Sequence, residues 1–378
     1  MNRSAIVIGA GIVGLATARA LAISGYEVMV IDRSAFATGA SVRNFGMVWP
    51  IGQPEGLLRE RALRTRAVWE SICKESGMWN DPSGSLHLAY CESEMEVLEN
   101  FIHKSGKERS YRLLTSSEVM KKSSCVVHHG LRVGLYSADE LIVDPPNAIS
   151  RLAAFLQEKY SVRFSWNTHT HSIEQGRVSC GKVNYEADEV FICSGADFRN
   201  LLPESFIQEP ITICKLQMMR LGPQPEGWQL GPSLCGGLSL LHYAGFRLAG
   251  SSLEGLREYI VSKYPDYVRW GIHVMVAQHA SGELVIGDSH EYGDSHDPFD
   301  KAFINRMILE YLFGFARFPS ESISASWNGQ YSKLTDGRTE LVLRPAPGVT
   351  IINALGGAGM TMSFGLAEEV VGGRYGVL

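Results

Sequence analysis

The N-terminal segment from Ala5 to Asp32 constrains the fold of this chain more than any other part of the sequence. A short apolar run ends at Ile8, glycines spaced G-x-G-x-x-G follow, a helical pattern stops near Gly25, and a second apolar run ends at Asp32. Strand, glycine turn, helix, strand and acid in this order form the βαβ pattern that binds dinucleotides. The hexapeptide alone is weak evidence, but the complete unit predicts a dinucleotide-binding domain.

The three glycines of this unit have separate physical roles. Gly9 permits a tight turn, Gly11 lets the backbone approach a pyrophosphate, and Gly14 allows close packing between helix and strand. The N–H groups at the helix N-terminus attract the anion. The carboxylate of Asp32 is placed to accept hydrogen bonds from ribose hydroxyls.

Length and composition favour an ordinary two-domain globular protein. The chain has 378 residues, of which 45% are hydrophobic and 20% are charged. A formal net charge of -5 gives no reason to expect nucleic acid or an anionic membrane as partner. Residues 1–4 lead directly into the first strand without a targeting segment, and no apolar run reaches the roughly 18 residues of a spanning helix. We therefore expect a cytoplasmic protein without a membrane span.

Cysteine and histidine spacing gives no metal motif. The seven cysteines are scattered and never spaced C-x-x-C, which predicts reduced and mostly buried thiols. The pairs His128/His129 and His169/His171 lack the H-E-x-x-H or Cys/His context of a metal site. We expect no metal site, and we expect His169 and His171 to share one face of a strand.

Patterns along the rest of the chain indicate that two domains are each built from separated segments. The predicted elements are an irregular glycine-rich segment at 33–53, an amphipathic helix around 58–72, a strand at 85–91, a helix at 93–103, a capping box at 115–118, a helix from Asp144 to about 160, strands at 162–166, 168–173, 177–180, 182–186 and 188–193, strands at 272–277 and 283–286, a helix at 301–313, a strand at 349–354 and a helix at 363–371. Between 210 and 324 this pattern indicates an antiparallel sheet with flanking helices.

A second glycine-rich turn lies near the C-terminus. The strand at 349–354 runs into G-G-A-G-M-T at residues 356–361, and a helix follows. This turn presents more backbone N–H groups at a helix start. An enzyme that binds NAD alone does not need both turns, so the bound molecule is expected to be longer than one mononucleotide.

Four segments together resemble the FAD-dependent amine and D-amino-acid oxidase superfamily, which includes glycine oxidase, sarcosine oxidase and D-amino-acid dehydrogenases. They are the N-terminal unit with its acid, S-V-R-N-F-G-M at 41–47, residues 188–195, and G-G-A-G-M-T at 356–361. The resemblance is closest to a bacterial subgroup proposed to oxidise aminophosphonates. It implies an α/β fold: a Rossmann-like FAD-binding domain of the glutathione-reductase type and a second α+β substrate domain on an antiparallel sheet. We assign 1–84, 140–209 and 325–378 to the FAD-binding domain, and 85–139 and 210–324 to the substrate domain.

The resemblance implies FAD as cofactor and a set of residues that contact it. In that family the S-x-R-N-x-G stretch lies along the pyrophosphate and flavin, the middle of the chain passes near the adenine, and the C-terminal glycines hold the pyrimidine edge of the flavin. The implied cofactor-binding residues are Gly9, Gly11, Gly14, Asp32, Arg33, Ser41, Arg43, Asn44, Gly46, Met47, Thr170, Ser194, Gly195, Gly356, Gly357, Gly359, Met360 and Thr361. No cysteine matches an attachment motif, so covalent or non-covalent binding stays open.

The reaction implied by the resemblance moves hydride from the carbon bearing a neutral amine to flavin N5, and water then hydrolyses the imine. Because the flavin carries the chemistry, the protein mainly orients the C–H bond and excludes water, and no catalytic base is expected. Related oxidases bind the substrate carboxylate with an arginine shortly before an Asp-Gly turn. This chain has Tyr331 there, with Lys333 nearby, and Gly359 replaces a second family arginine. Neutral donors with one cation suit an aminoalkylphosphonate.

Several side chains are candidates for contacts with the substrate or the flavin. The resemblance points to Trp49, His273, Met275, His290, Tyr331 and Lys333, and more weakly to His242, Tyr243 and Gln278. The alternatives stay open: His290 as an exposed turn residue, His273 as a packed core residue, Tyr331 as a half-buried sheet aromatic and Lys333 as a solvated charge.

Oxidation of a small primary or secondary amine is the leading hypothesis, with O₂ or another electron acceptor as second partner. A dehydrogenase of the D-amino-acid or sarcosine type that passes electrons to a quinone or carrier protein is the nearest alternative. A non-catalytic flavin-binding subunit of a larger complex is an alternative of a different class. The sequence does not indicate the oligomeric state.

Overall fold

A computed structural model of the chain describes residues 3–106, 109–174 and 176–376. Met1 and Asn2, part of the segment expected to precede the first strand directly, lie outside these ranges. Among the described residues, no helix combines the length and the apolar character needed to cross a membrane.

The described residues form strands in four sheets and helices that pack against both of the larger sheets. The strands are β1 (Ser4–Ile8), β2 (Glu27–Ile31), β3 (Met47–Val48), β4 (Asn80–Asp81), β5 (Ser85–Ala89), β6 (Tyr111–Thr115), β7 (Val133–Ser137), β8 (Leu141–Val143), β9 (Arg163–Ser165), β10 (Ser172–Glu174), β11 (Arg177–Cys180), β12 (Val183–Glu186), β13 (Glu189–Ile192), β14 (Ile211–Leu221), β15 (Ser233–Cys235), β16 (Met275–Gln278), β17 (Leu284–Gly287), β18 (Glu291–Gly293), β19 (Ile323–Leu334), β20 (Leu341–Ala346) and β21 (Val349–Asn353). The α-helices are α1 (Ile12–Ile23), α2 (Leu57–Ser76), α3 (Glu92–Lys104), α4 (Ser116–Lys122), α5 (Pro145–Tyr160), α6 (Glu204–Ile207), α7 (Leu238–His242), α8 (Ser251–Lys263), α9 (Pro265–Arg269), α10 (Ala302–Phe315) and α11 (Gly359–Val371).

The first sheet contains the predicted dinucleotide-binding unit. Its order is β20-β21-β13-β1-β2-β9, and every neighbouring pair is parallel except β20 with β21. The predicted return of the chain at 188–193 is confirmed, since β13 pairs with β1 along its length. These strands are rich in Val and Ile because both faces of a parallel sheet are covered. On one face of this sheet, helices α1, α5 and α11 pack against the strands and form a hydrophobic core with them.

The second sheet is mostly antiparallel, as predicted for the other half of the protein. Its order is β18-β14-β17-β16-β15-β5-β7-β6, with β19 also paired to β14. One pair, β15 with β5, is parallel. β14 and β19 pair over eleven residue positions, and the expected domain boundary at residue 325 falls inside β19. Two three-stranded sheets, β10-β11-β12 and β3-β8-β4, complete the strands. The α/β class with a second α+β layer is confirmed.

Three local predictions need correction. The strand expected at 168–173 begins only at Ser172, so His169 and His171 do not share a strand face; their rings instead contact each other, with centroids 4.7 Å apart. The last helix begins at Gly359, four residues earlier than predicted, since glycine is tolerated in a first turn that packs closely. Asp144 stands at the N-cap of α5, but its side chain accepts from Asn147 rather than from a backbone N–H.

Other local predictions are confirmed. Thr115 and Glu118 form a capping box at the start of α4, in which each side chain accepts from the other residue's backbone N–H. All seven cysteines are free thiols, and five of them are buried. The cap could be predicted because it depends only on side-chain chemistry within one turn.

Glu140 is a fully buried carboxyl group that ties the second sheet to the loop after β3. It accepts hydrogen bonds from the backbone N–H of Ile51 at 3.0 Å and from the Ser85 hydroxyl at 2.8 Å. Burial raises the pKa of Glu140 to about 7, whereas an unfolded glutamate titrates near about 4.3. Between these pH values the folded protein holds a proton that the unfolded chain has lost. Stability therefore falls as pH rises through this window.

We expect Glu140→Gln to remove this pH-dependent loss of stability. Between pH 5 and pH 8 the free energy of unfolding of the natural protein should fall by about 2–3 kcal/mol more than that of the variant. Urea denaturation of both proteins at the two pH values measures the difference. Glu99→Gln, at an exposed position, is the control and should follow the natural protein. Parallel pH dependence of the natural protein and Glu140→Gln would contradict the expectation.

Candidate active site

A single cavity of ≈ 950 Å³ extends from the first glycine turn to the antiparallel sheet. This volume lies at the upper end of the range for small-molecule and cofactor sites. Its walls come from the residues that follow β1, β2 and β13, from the C-terminal glycine turn, and from β16 and β19. The cavity therefore connects the nucleotide-binding sheet with the second sheet.

The first glycine turn has the close contacts that its spacing predicts. Gly9 has φ +103°, and a side-chain carbon there would lie 2.4 Å from the carbonyl oxygen of Cys193. At Gly14 an added carbon would lie 1.8 Å from the carbonyl oxygen of Gly9. Gly9 and Gly11 line the cavity, whereas Gly14 does not and instead lets α1 pack on the turn. Only glycine permits this geometry.

Asp32 stands at the end of β2 and lines the cavity. Its two carboxylate oxygens accept from the backbone N–H groups of Ala10 at 2.7 Å and Ser34 at 2.8 Å. The same carboxylate therefore shapes the glycine turn, and each oxygen retains a lone pair for a hydroxyl donor. Arg33, also predicted as a cofactor contact, lies at the exposed rim, where it pairs with Asp197.

The segment after residue 40 is held in shape by its own polar side chains. Asn44 donates to the carbonyl oxygens of Ala40 and Ser41 at 2.9 and 3.0 Å, and its amide oxygen accepts from Gly46 N–H at 2.8 Å. Ser41 Oγ accepts from the N–H of Ile12, the first residue of α1, at 3.0 Å. Ser41 and Asn44 thus join this segment to the glycine turn, and both line the cavity.

Two neighbours in the same segment differ in what they contact. Arg43 lines the cavity and donates to the Asn328 carbonyl oxygen at 3.1 Å. Gly46 is not part of the cavity wall, and an added carbon there would lie 1.8 Å from the Val143 carbonyl oxygen. Its requirement for glycine comes from packing against β8. Met47 continues the wall in β3.

The C-terminal glycine turn lies directly against β19. An added carbon at Gly357 would lie 3.6 Å from the Tyr331 hydroxyl oxygen, and one at Gly356 would lie 3.7 Å from Cγ of Lys333. Gly356, Gly357, Gly359, Met360 and Thr361 all line the cavity. Larger side chains in this turn would fill the space between the turn and the strand.

The cofactor contacts predicted in the middle of the chain, Thr170, Ser194 and Gly195, also lie at the cavity. Thr170 is buried, with its hydroxyl 3.6 Å from the Cys180 sulfur. Ser194 and Gly195 follow β13, where Ser194 Oγ accepts from Asn353 and the Gly195 carbonyl oxygen accepts from Ser332. All three residues line the cavity, as Asp32 does.

These contacts fit FAD in a long, bent site. A single cavity joins the Asp32 and Thr170 region, both glycine turns and the second sheet, so one molecule can contact all of them. The glycines leave room where a side-chain carbon would otherwise approach Ser41 Oγ to 3.0 Å or Tyr331 to 3.6 Å. Backbone N–H groups at the starts of α1 and α11 offer two positions for anionic phosphate or a polar ring edge.

All six leading candidates for substrate contact line the cavity: Trp49, His273, Met275, His290, Tyr331 and Lys333. His290 is only 7% exposed and Tyr331 only 9%, so neither is a solvated turn or surface residue. His242 and Tyr243 line the cavity as well, whereas Gln278 is outside its wall. Gln278 instead accepts from Leu230 N–H and donates to the Trp228 carbonyl oxygen, which is a structural role.

His273 lies just before β16 rather than inside the strand predicted at 272–277. It nevertheless pairs with Asp288 through the backbone, since Asp288 N–H donates to the His273 carbonyl oxygen at 2.8 Å and His273 N–H donates back at 3.2 Å. This pairing extends the contact of β16 with β17 beyond the ends of both strands and brings two ionisable side chains together.

Asp288 is a cavity residue that the sequence analysis missed. Its carboxylate is 5% exposed, and Oδ1 lies 3.0 Å from Nε2 of His273. The available signal was its position directly after a strand, two residues before His290, which puts both side chains at one strand end. Nitrogen atoms of His242, His273 and His290 also lie within 4.8 Å of one another, although the three residues are far apart in the sequence.

Comparisons with known proteins agree with this architecture. A family model described as "FAD dependent oxidoreductase" (DAO) matches residues 4–372. The mitochondrial L-2-hydroxyglutarate dehydrogenase of Arabidopsis thaliana is 30% identical over 210 residues, which cover 49% of this chain and 42% of that protein. The match therefore spans less than half of this curated relative.

Solved structures resemble the chain over nearly its whole length. L-proline dehydrogenase from P. horikoshii superposes with a TM-score of 0.77 at 20% identity, covering 98% of this chain and 92% of that one. Glycine oxidase from Bacillus cereus has a TM-score of 0.77 at 15% identity, with 98% and 95% coverage. At such identities the likeness is one of fold.

Proposed function

The chain belongs to the family of FAD dependent oxidoreductases, and we propose that it uses FAD to oxidise a small amine, with an aminoalkylphosphonate as the substrate class. Its cofactor is FAD. The proposal of an amine is supported by the solved structures that share the fold, which include a proline dehydrogenase and a glycine oxidase. The phosphonate is supported by the residues that line the second-sheet end of the cavity.

The cavity walls suggest a division of roles for holding FAD. We assign the pyrophosphate to the turn of Gly9 and Gly11, the ribose to Asp32, the adenine to Thr170, and the flavin ring to the C-terminal turn. When bound, FAD supplies the hydride acceptor. The protein's own contribution is then to hold the amine-bearing carbon next to the flavin and keep water away. Trp49 and Met275, both less than 5% exposed, are suited to the second task.

The observation that carries the substrate proposal is the pair Tyr331 and Lys333. Both belong to β19, both line the cavity, and both lie against the C-terminal glycine turn. Tyr331 occupies the place where related amino-acid oxidases are expected to present an arginine, so the planar fork that binds a carboxylate is missing there. Burial raises the pKa of the Tyr331 hydroxyl, which keeps it a neutral donor. One hydroxyl and one ammonium group suit a tetrahedral oxyanion.

Anaerobic mixing of the purified flavoprotein with a substrate panel tests the proposal. The panel contains 2-aminoethylphosphonate and its N-alkyl derivatives, glycine, sarcosine, D-amino acids and L-2-hydroxyglutarate. We expect the flavin absorbance to bleach fastest with an aminoalkylphosphonate. Preference for glycine, a D-amino acid or the hydroxy acid by orders of magnitude would overturn the substrate class. Failure of every amine to bleach the flavin would favour a non-catalytic subunit, and oxygen uptake with peroxide formation separates an oxidase from a dehydrogenase.

Lys333→Met is expected to weaken use of the phosphonate substrate without slowing the bound complex. Loss of a charge-assisted hydrogen bond of about 1.5–3 kcal/mol corresponds to a KM increase of roughly tenfold or more. The value of kcat should change little, since the lysine contacts the remote group and not the reacting carbon. Steady-state kinetics measures both. Lys182→Met, at an exposed turn outside the cavity wall, is the control. Unchanged KM in Lys333→Met would contradict the assignment.

A further inference from the structure

Four side chains form an acceptor cluster in the wall of the cavity, hereafter the Asp288 cluster: Asp288, His242, His273 and His290. They come from three places in the second domain, namely the end of α7, the residues before β16 and the turn between β17 and β18. Ring centroids of His242 lie 3.8 Å from His273 and 4.6 Å from His290. The sheet pairing, not sequence proximity, assembles the cluster.

Hydrogen bonding fixes which nitrogen of His290 can accept. Nδ1 lies 2.9 Å from the Gly271 carbonyl oxygen, and a carbonyl only accepts, so Nδ1 carries the hydrogen. In the neutral ring Nε2 then has a free lone pair, and it lies 3.8 Å from Oδ2 of Asp288. Within the described part of the chain, Nε2 has no hydrogen-bond partner. A lone pair that faces a carboxylate needs a proton or a cation between the two.

The carboxylate of Asp288 has few donors around it. Oδ1 lies 3.0 Å from His273 Nε2, and in the described ranges it has no hydrogen bond of good geometry. Nδ1 of His273 is also buried without a partner in those ranges. A buried carboxylate with few donors is stabilised when a cation joins it. The carboxylate and the free Nε2 lone pair of His290 therefore suit a positive group between them.

The charges agree with this conclusion. Burial opposes ionisation of Asp288, yet the neighbouring imidazoles of His290 and His273 hold its pKa below the ordinary value. Burial lowers the pKa of His290, so this ring is neutral near pH 7. The cluster then combines an ionised carboxylate with the neutral ring of His290, whose Nε2 lone pair faces it.

The groups that face the cluster from neighbouring elements include one cation. They are Lys333 and Tyr331 on β19, Cys214 on β14, Tyr292 on β18 and Tyr243 after α7. Burial raises the pKa of Tyr331, Tyr243 and Cys214, so these three groups are neutral. Lys333, whose ammonium lies 3.4 Å from the Tyr292 hydroxyl, supplies the positive charge. A carboxylate with imidazole acceptors beside a lysine matches a ligand with one ammonium and one anionic group.

We propose that the Asp288 cluster binds the ammonium group of the substrate and that His290 Nε2 takes its proton. This rests on the proposed function, in which the substrate is an amine. An aliphatic amine has a pKa of about 10 and enters the site protonated, whereas hydride leaves only from the carbon of a neutral amine. One N–H bond of the substrate breaks and one N–H bond forms at Nε2; the electron pair stays on the amine nitrogen. Asp288 stabilises the resulting imidazolium. The ring becomes neutral again when its proton passes to solvent.

The spacing of the three imidazoles accommodates an ammonium ion. Acceptors around a tetrahedral nitrogen with bonds of about 2.9 Å lie about 4.7 Å apart. Ligand nitrogens around a zinc ion with bonds of about 2.0–2.1 Å lie about 3.4 Å apart. The nitrogens of His242, His273 and His290 lie within 4.8 Å of one another, a limit that both spacings satisfy. The choice of an ammonium ion therefore rests on the Asp288 carboxylate and the free lone pair of His290, and the zinc measurement below tests the metal alternative.

Binding of an amine that cannot be oxidised tests the cluster independently of turnover. The probe is 2-amino-2-methylpropylphosphonate, whose amine-bearing carbon carries no hydrogen. At pH 8.5, calorimetric titration of the FAD-loaded protein in two buffers of different ionisation enthalpy counts protons released per bound probe. We expect no proton release from the natural protein, because the proton stays inside the complex. Asp288→Asn and His290→Gln should bind at least tenfold more weakly and release about one proton.

The same variants should change the pH profile of the reaction. For the natural protein, the rate constant of anaerobic flavin bleaching divided by the apparent Kd should change little between pH 7 and pH 9. In both variants it should rise about tenfold per pH unit, since only the neutral amine in solution can react. His128→Gln, at an exposed position, is the control. Flavin content and thermal midpoint show whether each variant is folded, and a misfolded Asp288→Asn leaves His290→Gln to decide.

Each outcome separates this inference from the proposed function. Parallel pH profiles, or equal affinity without proton release in both variants, would overturn the role of the cluster while amine oxidation stands. Absence of bleaching by any amine would overturn the proposed function, and the titration with the unreactive probe would still support or overturn the ammonium site. The natural protein could instead retain stoichiometric zinc after dialysis against chelator, and His290→Gln could lose it. That result would overturn the ammonium site in favour of a metal site.

Discussion

Gly14→Ala is expected to abolish stoichiometric binding of FAD. The added carbon would lie 1.8 Å from the Gly9 carbonyl oxygen, a backbone atom that no rotamer change can move. Either α1 moves away from β1 or the turn changes shape, and overpacking of this kind costs about 1–3 kcal/mol or more. Because Gly9 and Gly11 of the same turn line the cavity, the displacement reaches the pyrophosphate position. We expect FAD affinity to fall by more than tenfold and the thermal midpoint to drop.

The control for this prediction is Gly255→Ala. Gly255 also lies in a helix, α8, but an added carbon there meets no atom within 4 Å in the described structure. Alanine is the better helix former by about 0.5–1 kcal/mol, so this variant should be as stable as the natural protein or more so. The ratio of flavin to protein absorbance after purification and the thermal midpoint measure both effects. If Gly14→Ala purified with equimolar, tightly bound FAD, the close contact with the Gly9 carbonyl oxygen would have to be relieved by a shift that leaves the cofactor site intact.

Arg61→Ala is expected to destabilise the protein by about 3–5 kcal/mol. Arg61 in α2 is 6% exposed and donates through Nε and Nη2 to Glu369 of α11, and through Nη1 to Glu340 at 2.8 Å. Removing the guanidinium leaves Glu340 without this partner and Glu369 with only the partly exposed Arg64. Since α11 begins in the C-terminal glycine turn, we also expect weaker retention of FAD.

Matched variants separate charge from packing at this site. Arg66→Ala removes a surface pair with Glu70 on the same helix and should cost about 0.5 kcal/mol or less. The combination of Arg61→Met, Glu340→Gln and Glu369→Gln removes all three charges while keeping volume, and should recover much of the stability lost in Arg61→Ala. Chemical denaturation of the four proteins gives the free energies. Equal losses for Arg61→Ala and Arg66→Ala would show that burial adds nothing to this ion pair.

The sequence predicted the elements whose chemistry is local. The unit from β1 to Asp32, the capping box at Thr115 and the glycine turn before α11 each depend on residues within about thirty positions of one another. Glycine spacing, cap chemistry and hydrophobic periodicity act over that range, so they can be recognised without the rest of the fold. The same reason explains the correct α/β class and the correct second antiparallel sheet.

Long-range pairing decided what the sequence did not indicate. β14 and β19 are separated by about a hundred residues, and their pairing places Tyr331 and Lys333 on the C-terminal turn. The backbone pairing of His273 with Asp288 likewise could not be inferred from either segment alone. His169 and His171 show the converse error, since an alternating pattern predicts a strand only where a partner strand is available to pair with it.

The sequence by itself therefore determined the family of FAD dependent oxidoreductases and the two turns that accommodate the cofactor, because these depend on glycines at fixed spacing. Only the tertiary structure decided which polar groups meet at the other end of the cavity. Asp288 and the three histidines carry no joint motif. Their proximity, and the burial of Asp288, His273 and His290, exist only after the second sheet has folded.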